Sequence, residues 1–143
     1  MQTKRYSGVL VKCKDKVLLC KRNHSGSFPG MWSIPAGKVE KLEDYSEAAK
    51  REFYEETNIN IEEQNIKLIS VMPRYTRDGK NVKGMMCVFL LEVKKEIYPD
   101  LENATDGFEH TECSYFKLEE ISEEMCGKQL YRVIKNIFGV NFV

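Results

Sequence analysis

The sequence predicts a mixed α/β or α+β domain, and three observations favour α+β. Apolar, β-rich runs fill most of the first two-thirds of the chain. One helix-compatible stretch interrupts them, between Asp44 and Asn58. A second amphipathic stretch, residues 129–138, follows near the end and spaces Leu130, Val133, Ile134 and Ile137 on one helical face. Strands that dominate early, with helices at two separate points, suit a sheet packed against helices.

Each element has a local cause. Residues 6–13 and 16–21 are β-rich and flank Lys14-Asp15, which predicts a hairpin. Residues 23–30 are rich in Ser, Gly and Pro and predict a loop; residues 31–35 predict a short strand. Asp44 is placed to cap the next helix, with Glu47 three residues later as its capping-box partner. That helix would bury Ala48, Ala49 and Phe53, with Tyr45 on the same side. Asn58 stands where a left-handed residue ends a helix, a conformation asparagine tolerates. Residues 66–72 and 85–93 predict strands with Asp78-Gly79 in the turn region between them, and 114–117 a short strand.

Bulk properties narrow the function. A chain of 143 residues, without repeat, low-complexity tract or linker, predicts one domain over 1–143. Lys plus Arg equals Asp plus Glu at 22 each, which argues against broad nucleic-acid binding but allows a local basic patch. The five cysteines, 13, 20, 87, 113 and 126, form no CxxC pair. They predict buried free thiols in a reducing compartment, with neither a zinc site nor a disulfide framework. The N-terminus lacks an apolar signal stretch and no run is long enough to span a membrane, so a cytoplasmic protein is expected.

The chemistry concentrates in residues 37–59. Glu52, Glu55 and Glu56 lie at i, i+3 and i+4 of the predicted helix and share a face. Each like-charged helical pair costs about 0.2–0.5 kcal/mol. Such crowding points to a bound cation, and oxygen-only donors favour magnesium or manganese over zinc.

Gly37, Glu43, Arg51, Glu52, Phe53, Glu55, Glu56 and Ile59 fall on the pattern G-x(5)-E-x(7)-R-E-U-x-E-E-x-G-U, where U is bulky and apolar. The chain therefore resembles the Nudix (MutT-like) hydrolases. Asn58 stands where that pattern has glycine, and Leu42 where many members have glycine before the first glutamate. The likeness extends to VLLCKRN, FPGMWSIPAGKVE and FEHTECSYFKLEEI.

The resemblance implies an α/β/α sandwich in which a loop–helix–loop lies on a central mixed sheet. It implies a pyrophosphohydrolase whose Glu52, Glu55 and Glu56, with the Ala36 carbonyl, hold Mg2+ or Mn2+ against a diphosphate. Arg51 would orient a glutamate of the motif, or pair along the helix with Glu47 or Glu55. Glu43 would hold the loop, with a water-mediated metal contact also open, and Gly37 would supply backbone shape where a side chain obstructs the turn. The general base stays open among Glu52, Glu56 and a later loop acid, Glu109 before Glu112. His110 is read as a solvent-facing histidine on that loop ahead of a substrate contact, and His24 is given no role.

Substrate contacts are read more broadly. Arg22 follows a strand and reaches either phosphate or the sheet rim. Arg74, Arg77, Lys80 and Lys83 form a basic turn that steers polyphosphate or, by default, is exposed hairpin charge. Trp32 and Phe28 offer stacking surfaces, with core packing ranked first for Trp32. Pro73 lies 14 and Tyr75 lies 16 residues after Ile59, which matches neither the ADP-ribose nor the dinucleoside polyphosphate subgroup spacing. The expected partner is a small nucleotide diphosphate or triphosphate. RNA 5′-end or dinucleoside polyphosphate hydrolysis, and a non-catalytic nucleotide sensor, are the alternatives. No membrane partner is expected, and the oligomeric state is left open.

Overall fold

The structure is a computed structural model that describes residues 4–23, 29–76, 78–105 and 109–139. His24, Phe28 and Arg77 lie outside the described residues, as does most of the 23–30 loop. The chain opens with β1 (Lys4–Cys13) and β2 (Lys16–Arg22), joined through Lys14 at φ 57°. Short strands β3 (Trp32–Ser33) and β4 (Ala36–Lys38) lead into helix α1 (Tyr45–Thr57). Strands β5 (Lys67–Tyr75), β6 (Val82–Val93) and β7 (His110–Lys117) follow, then α2 (Glu123–Cys126) and α3 (Lys128–Ile137).

The sheet is mixed, in the order β3-β2-β1-β6-β5, with β4 also on β1 and β7 also on β2. β1 and β6 run parallel, while the β1–β2, β1–β4, β2–β7 and β5–β6 pairs are antiparallel. Successive strand residues point to opposite faces, and this divides the core in two. Leu10, Leu19, Met86 and Val88 face Leu130, Val133 and Ile134 of α3. Val9, Val11, Leu18, Cys87, Phe89 and Leu91 face Ala49 and Phe53 of α1. The α/β/α sandwich is the expected architecture.

Local chemistry sets the ends of α1. The Glu47 amide donates to Asp44 Oδ1 at 2.8 Å, and the Asp44 amide to Glu47 Oε1 at 3.1 Å. Asn58 sits at φ 61°, ψ 22°, and its amide closes the helix on the Tyr54 carbonyl. Asp44→Ala should lose about 1 kcal/mol of stability, measured by urea unfolding, with the α1 fold retained. Leu42 takes φ 72° and is 97% exposed. The loop thus keeps the left-handed turn that glycine adopts more readily, at a small local cost.

Two expectations about these elements are corrected. Residues 110–117 form one eight-residue strand rather than a short one at 114–117. Cys20 and Cys113 form a disulfide directly across β2 and β7, so only Cys13, Cys87 and Cys126 are free thiols, all buried. A sequence separation of 93 hides a pair that only strand register brings together. No helix among the described residues is long and apolar enough to cross a membrane.

Candidate active site

Helix α1 sorts its glutamates by angle. Ala49, Glu52, Phe53 and Glu56 share the sheet-facing side at i, i+3, i+4 and i+7. Phe53 and Glu56 are wholly buried there, while Glu52 is partly buried and Glu55 lies at the margin. The three carboxylates are neighbours, but their surroundings differ.

Arg51 ties the loop to the helix. Its Nε donates to Glu43 Oε2 at 2.8 Å and its Nη2 to Glu43 Oε1 at 3.1 Å, a bidentate pair. Nη2 also donates to the Lys38 carbonyl at 2.9 Å. Nη1 reaches Glu52 at 3.0 Å and Glu55 at 3.1 Å. Glu43 Oε1 additionally accepts from the Glu40 amide. Glu47 is engaged by Asp44, so of the two helical partners expected for Arg51 only Glu55 is used. These bonds raise the Arg51 pKa, with the Glu43 hydrogen bond foremost.

The two acids shift in opposite directions. Arg51 holds the Glu43 carboxyl below its ordinary 4.5. Glu52 is raised above 4.5, because burial outweighs the Arg51 charge and the Glu55 charge adds to the rise. Since the folded pKa of Glu43 is depressed, its stabilisation is present above 4.5 and fades as pH falls through the folded value. Arg51→Gln should therefore lower stability near neutrality, and the deficit should shrink as pH drops from about 6 to about 3. Urea midpoints of both proteins across that range test this.

His110 differs from expectation. It is 1% exposed on β7, rather than solvent-facing on a loop, and its Nδ1 lies 3.4 Å from Glu56 Oε1. Burial, with the Arg22 charge adding, lowers its pKa to about 4. The registry of β7 on β2, with a bulge between Lys21 and Arg22, sets His110 beside Arg22.

One cleft of ≈ 970 Å³ gathers most of the remaining candidates. Arg22, Trp32, Ala36, Gly37, Glu52, Arg74, Tyr75 and Glu109 all line it. Glu43, Glu55 and Glu56 do not line it, and Glu112 is exposed on β7 opposite Lys21, away from it. Trp32 packs edge-on against Phe116 at 5.0 Å, as ranked first, and also borders the cleft. Arg74 is not plain hairpin charge, because its guanidinium lies 4.9 Å from the Tyr6 ring centroid and is partly buried. Burial and the nearby Arg22 charge lower its pKa. Lys80 is exposed as the default reading has it, whereas the Lys83 ammonium lies 5.6 Å from the Tyr6 ring. Lys128 and Arg132 of α3 also border the cleft; sequence reasoning passed over them because their helix was read only for its apolar face.

Gly37 contributes space. A Cβ there would collide with the Glu52 carboxylate. Its φ is not among the positive ones, so room beside Glu52, rather than an unusual backbone, is what glycine supplies.

A fold of this shape with this acidic helix matches one protein family. Residues 1–137 match the NUDIX domain family model. The chain belongs to the Nudix family. It is a Nudix pyrophosphohydrolase, a hydrolase of phosphoric anhydrides. The solved MutT NUDIX hydrolase from Burkholderia pseudomallei is 22% identical, over 95% of this chain and 98% of its own, with a TM-score of 0.75. The MutT protein from Methanosarcina mazei Go1 is 19% identical, over 96% of each chain, with a TM-score of 0.73. The Escherichia coli dihydroneopterin triphosphate pyrophosphohydrolase is 17% identical, over 95% of this chain and 97% of its own, with a TM-score of 0.70. These identities show a shared fold. No curated protein matches the chain.

Nudix hydrolases use divalent metal ions and act on small nucleotide derivatives. The donors of this Nudix chain fit such an ion in kind. Glu52 and Glu56 are withdrawn from solvent on one helix face, and burial makes ionised Glu52 costly until a cation compensates it. The candidate set is all oxygen, as a hard cation requires. Among the described residues no three His, Cys, Asp or Glu side chains form a preassembled cluster; Arg51 holds Glu52 and Glu55 instead.

Proposed function

We propose that this Nudix hydrolase depends on magnesium and cleaves the diphosphate linkage of a nucleoside triphosphate or a closely related nucleotide. One observation carries the reading. One cleft is lined by carboxylates, Glu52 and Glu109, and by cations, Arg22, Arg74 and Arg132, together with Ala36 and Gly37. Apolar and aromatic surface from Tyr6, Met31 and Trp32 lies in the same cleft. A ligand that combines several negative charges with a flat ring suits that lining.

Glu52, Glu55 and Glu56, with the Ala36 carbonyl, would hold the ion. When bound, Mg2+ would neutralise phosphate oxygens and lower the pKa of a water. Arg22 and Arg74 bind phosphate, and Arg51 holds the loop carrying Gly37 in place through Lys38 and Glu43. Trp32 and Tyr75 border the nucleoside. Water attacks phosphorus, its proton passes to a carboxylate, and the P–O–P bridge breaks. Glu109 is the loop acid favoured as base, because it borders the cleft while Glu112 does not; Glu52 and Glu56 are the helical candidates.

A chromatographic screen for the nucleotide products tests this, with Mg2+ and then with EDTA. Its substrates are nucleoside triphosphates, nucleotide sugars, dinucleoside polyphosphates and 5′-triphosphorylated RNA. Turnover of nucleoside triphosphates that EDTA abolishes is expected. Cleavage of the RNA alone would transfer the assignment to 5′-end processing, and binding with no turnover of anything would favour a sensor.

A further inference from the structure

Among the described residues, four polar or charged side chains are fully buried: Ser7, Glu56, Thr57 and His110. Two have an ordinary explanation. Ser7 Oγ donates to the Tyr45 carbonyl at 2.6 Å, and Thr57 Oγ1 to the Phe53 carbonyl at 2.6 Å. The other two face each other from separate elements, Glu56 on α1 and His110 on β7. A buried acid and imidazole are costly to maintain where an apolar pair of similar volume would pack.

We propose that His110 is a positioning residue: its Nδ1–H holds Glu56 Oε1 and so sets which carboxylate oxygen, Oε2, is presented to the metal. The inference rests on Glu56 being a ligand. An ionised carboxylate only accepts hydrogen bonds, and a neutral imidazole has one N–H. With Nδ1 at 3.4 Å from Oε1, that proton belongs on Nδ1. Nε2 is then an acceptor, and it is buried without a hydrogen-bond partner among the described residues. Nδ1 is the ring nitrogen that approaches Glu56.

The position of His110 is dictated by architecture. The bulge between Lys21 and Arg22 ends the regular β2–β7 pairing at His110, and bulges re-aim the side chain beside them. At 3.4 Å, Nδ1 approaches Oε1 without yet forming a hydrogen bond. Hydrogen bonds that serve catalysis are often long in unliganded proteins and tighten in the complex. A neutral donor orients the carboxylate without cancelling the charge that a cation needs. Partners that orient metal ligands typically contribute about 10–100-fold to affinity or activity.

Mn2+ binding to the full chain, followed by calorimetry, tests the proposal with thermal unfolding of each variant alongside. His110→Leu should weaken Mn2+ affinity about 10-fold or more. His110→Asn, whose amide N–H replaces Nδ1–H, should restore most of it, whereas His110→Gln, which extends its amide toward the Nε2 position, should not. If the Leu variant fails to fold, the Asn-against-Gln contrast decides alone. Wild-type affinity in a folded Leu variant, or equal affinity in Asn and Gln, overturns the proposal. Glu56→Gln separates the two readings. If Glu56→Gln loses Mn2+ affinity while the His110 variants keep it, only the positioning role fails. If Glu56→Gln binds Mn2+ normally, the ligand assignment fails and the positioning role with it.

Discussion

Glu56→Gln should lower turnover by about 10²–10⁴-fold and leave the protein folded, with equal or higher thermal stability. The two effects are expected to diverge for one reason. Glu56 is 0% exposed on the sheet-facing side of α1. An ionised carboxylate in that position is costly to desolvate. Glutamine keeps the volume and keeps an oxygen that can accept from His110 Nδ1, but removes the charge. A residue kept for packing would not behave this way, since losing its partner would lower stability and turnover together. Added Mg2+ should raise the melting temperature of the wild type, by preferential binding to the folded state, and should raise that of the variant much less. Steady-state kinetics and thermal unfolding with and without Mg2+ provide both readings. Wild-type turnover in the variant would remove Glu56 from the metal and base assignments.

Sequence patterns revealed some features of this fold better than others, according to how local their causes are. The Asp44–Glu47 box and the left-handed Asn58 depend on residues three or four apart, and both were legible. The strand at 6–13 was legible too, but not that Leu10 faces one core and Val9 and Val11 the other. The carboxylate cluster was legible as a cluster, because helical periodicity alone makes Glu52, Glu55 and Glu56 neighbours. Periodicity did not reveal that Glu56 would be wholly buried and Glu55 left at the margin; that depends on how α1 is rotated on the sheet. Strand register is a longer-range property still. It pairs Cys20 with Cys113 and places Arg22 beside His110, and no spacing in the sequence reports either. β4 was missed for a related reason: three residues, Ala36–Lys38, carry no strand pattern and pair only because β1 is there. Arg132 belongs to a helix whose apolar face is legible, yet only the packed fold brings its polar side to the cleft.

Gly37→Ala tests whether the close fit of β4 to α1 serves catalysis or only folding. It should cost roughly 10²-fold in kcat/KM, the scale of a small misplacement of a reacting group, with little loss of stability. The added methyl would meet the Glu52 carboxyl group. That obstacle is the end of a flexible side chain, so the fold relaxes by swinging Glu52 aside, at the expense of its alignment beside Ala36. The backbone itself accepts alanine, because Gly37 lies in strand pairing with Ser7 and lacks a positive φ. Gly8 provides the contrast. A Cβ there would stand 2.6 Å from the Ala36 Cβ and 2.8 Å from the Pro35 carbonyl oxygen, which cannot swing away. Gly8→Ala should therefore lower the melting temperature substantially, while Gly37→Ala lowers catalysis. Combining Gly37→Ala with Glu52→Ala should cost no more activity than Glu52→Ala alone, since the methyl then displaces nothing; neighbours that act through one contact are not additive. If Gly37→Ala destabilised the protein as much as Gly8→Ala and kept its kcat/KM, the tight approach of β4 to α1 would be a requirement of folding, and the alignment of Glu52 would not depend on it.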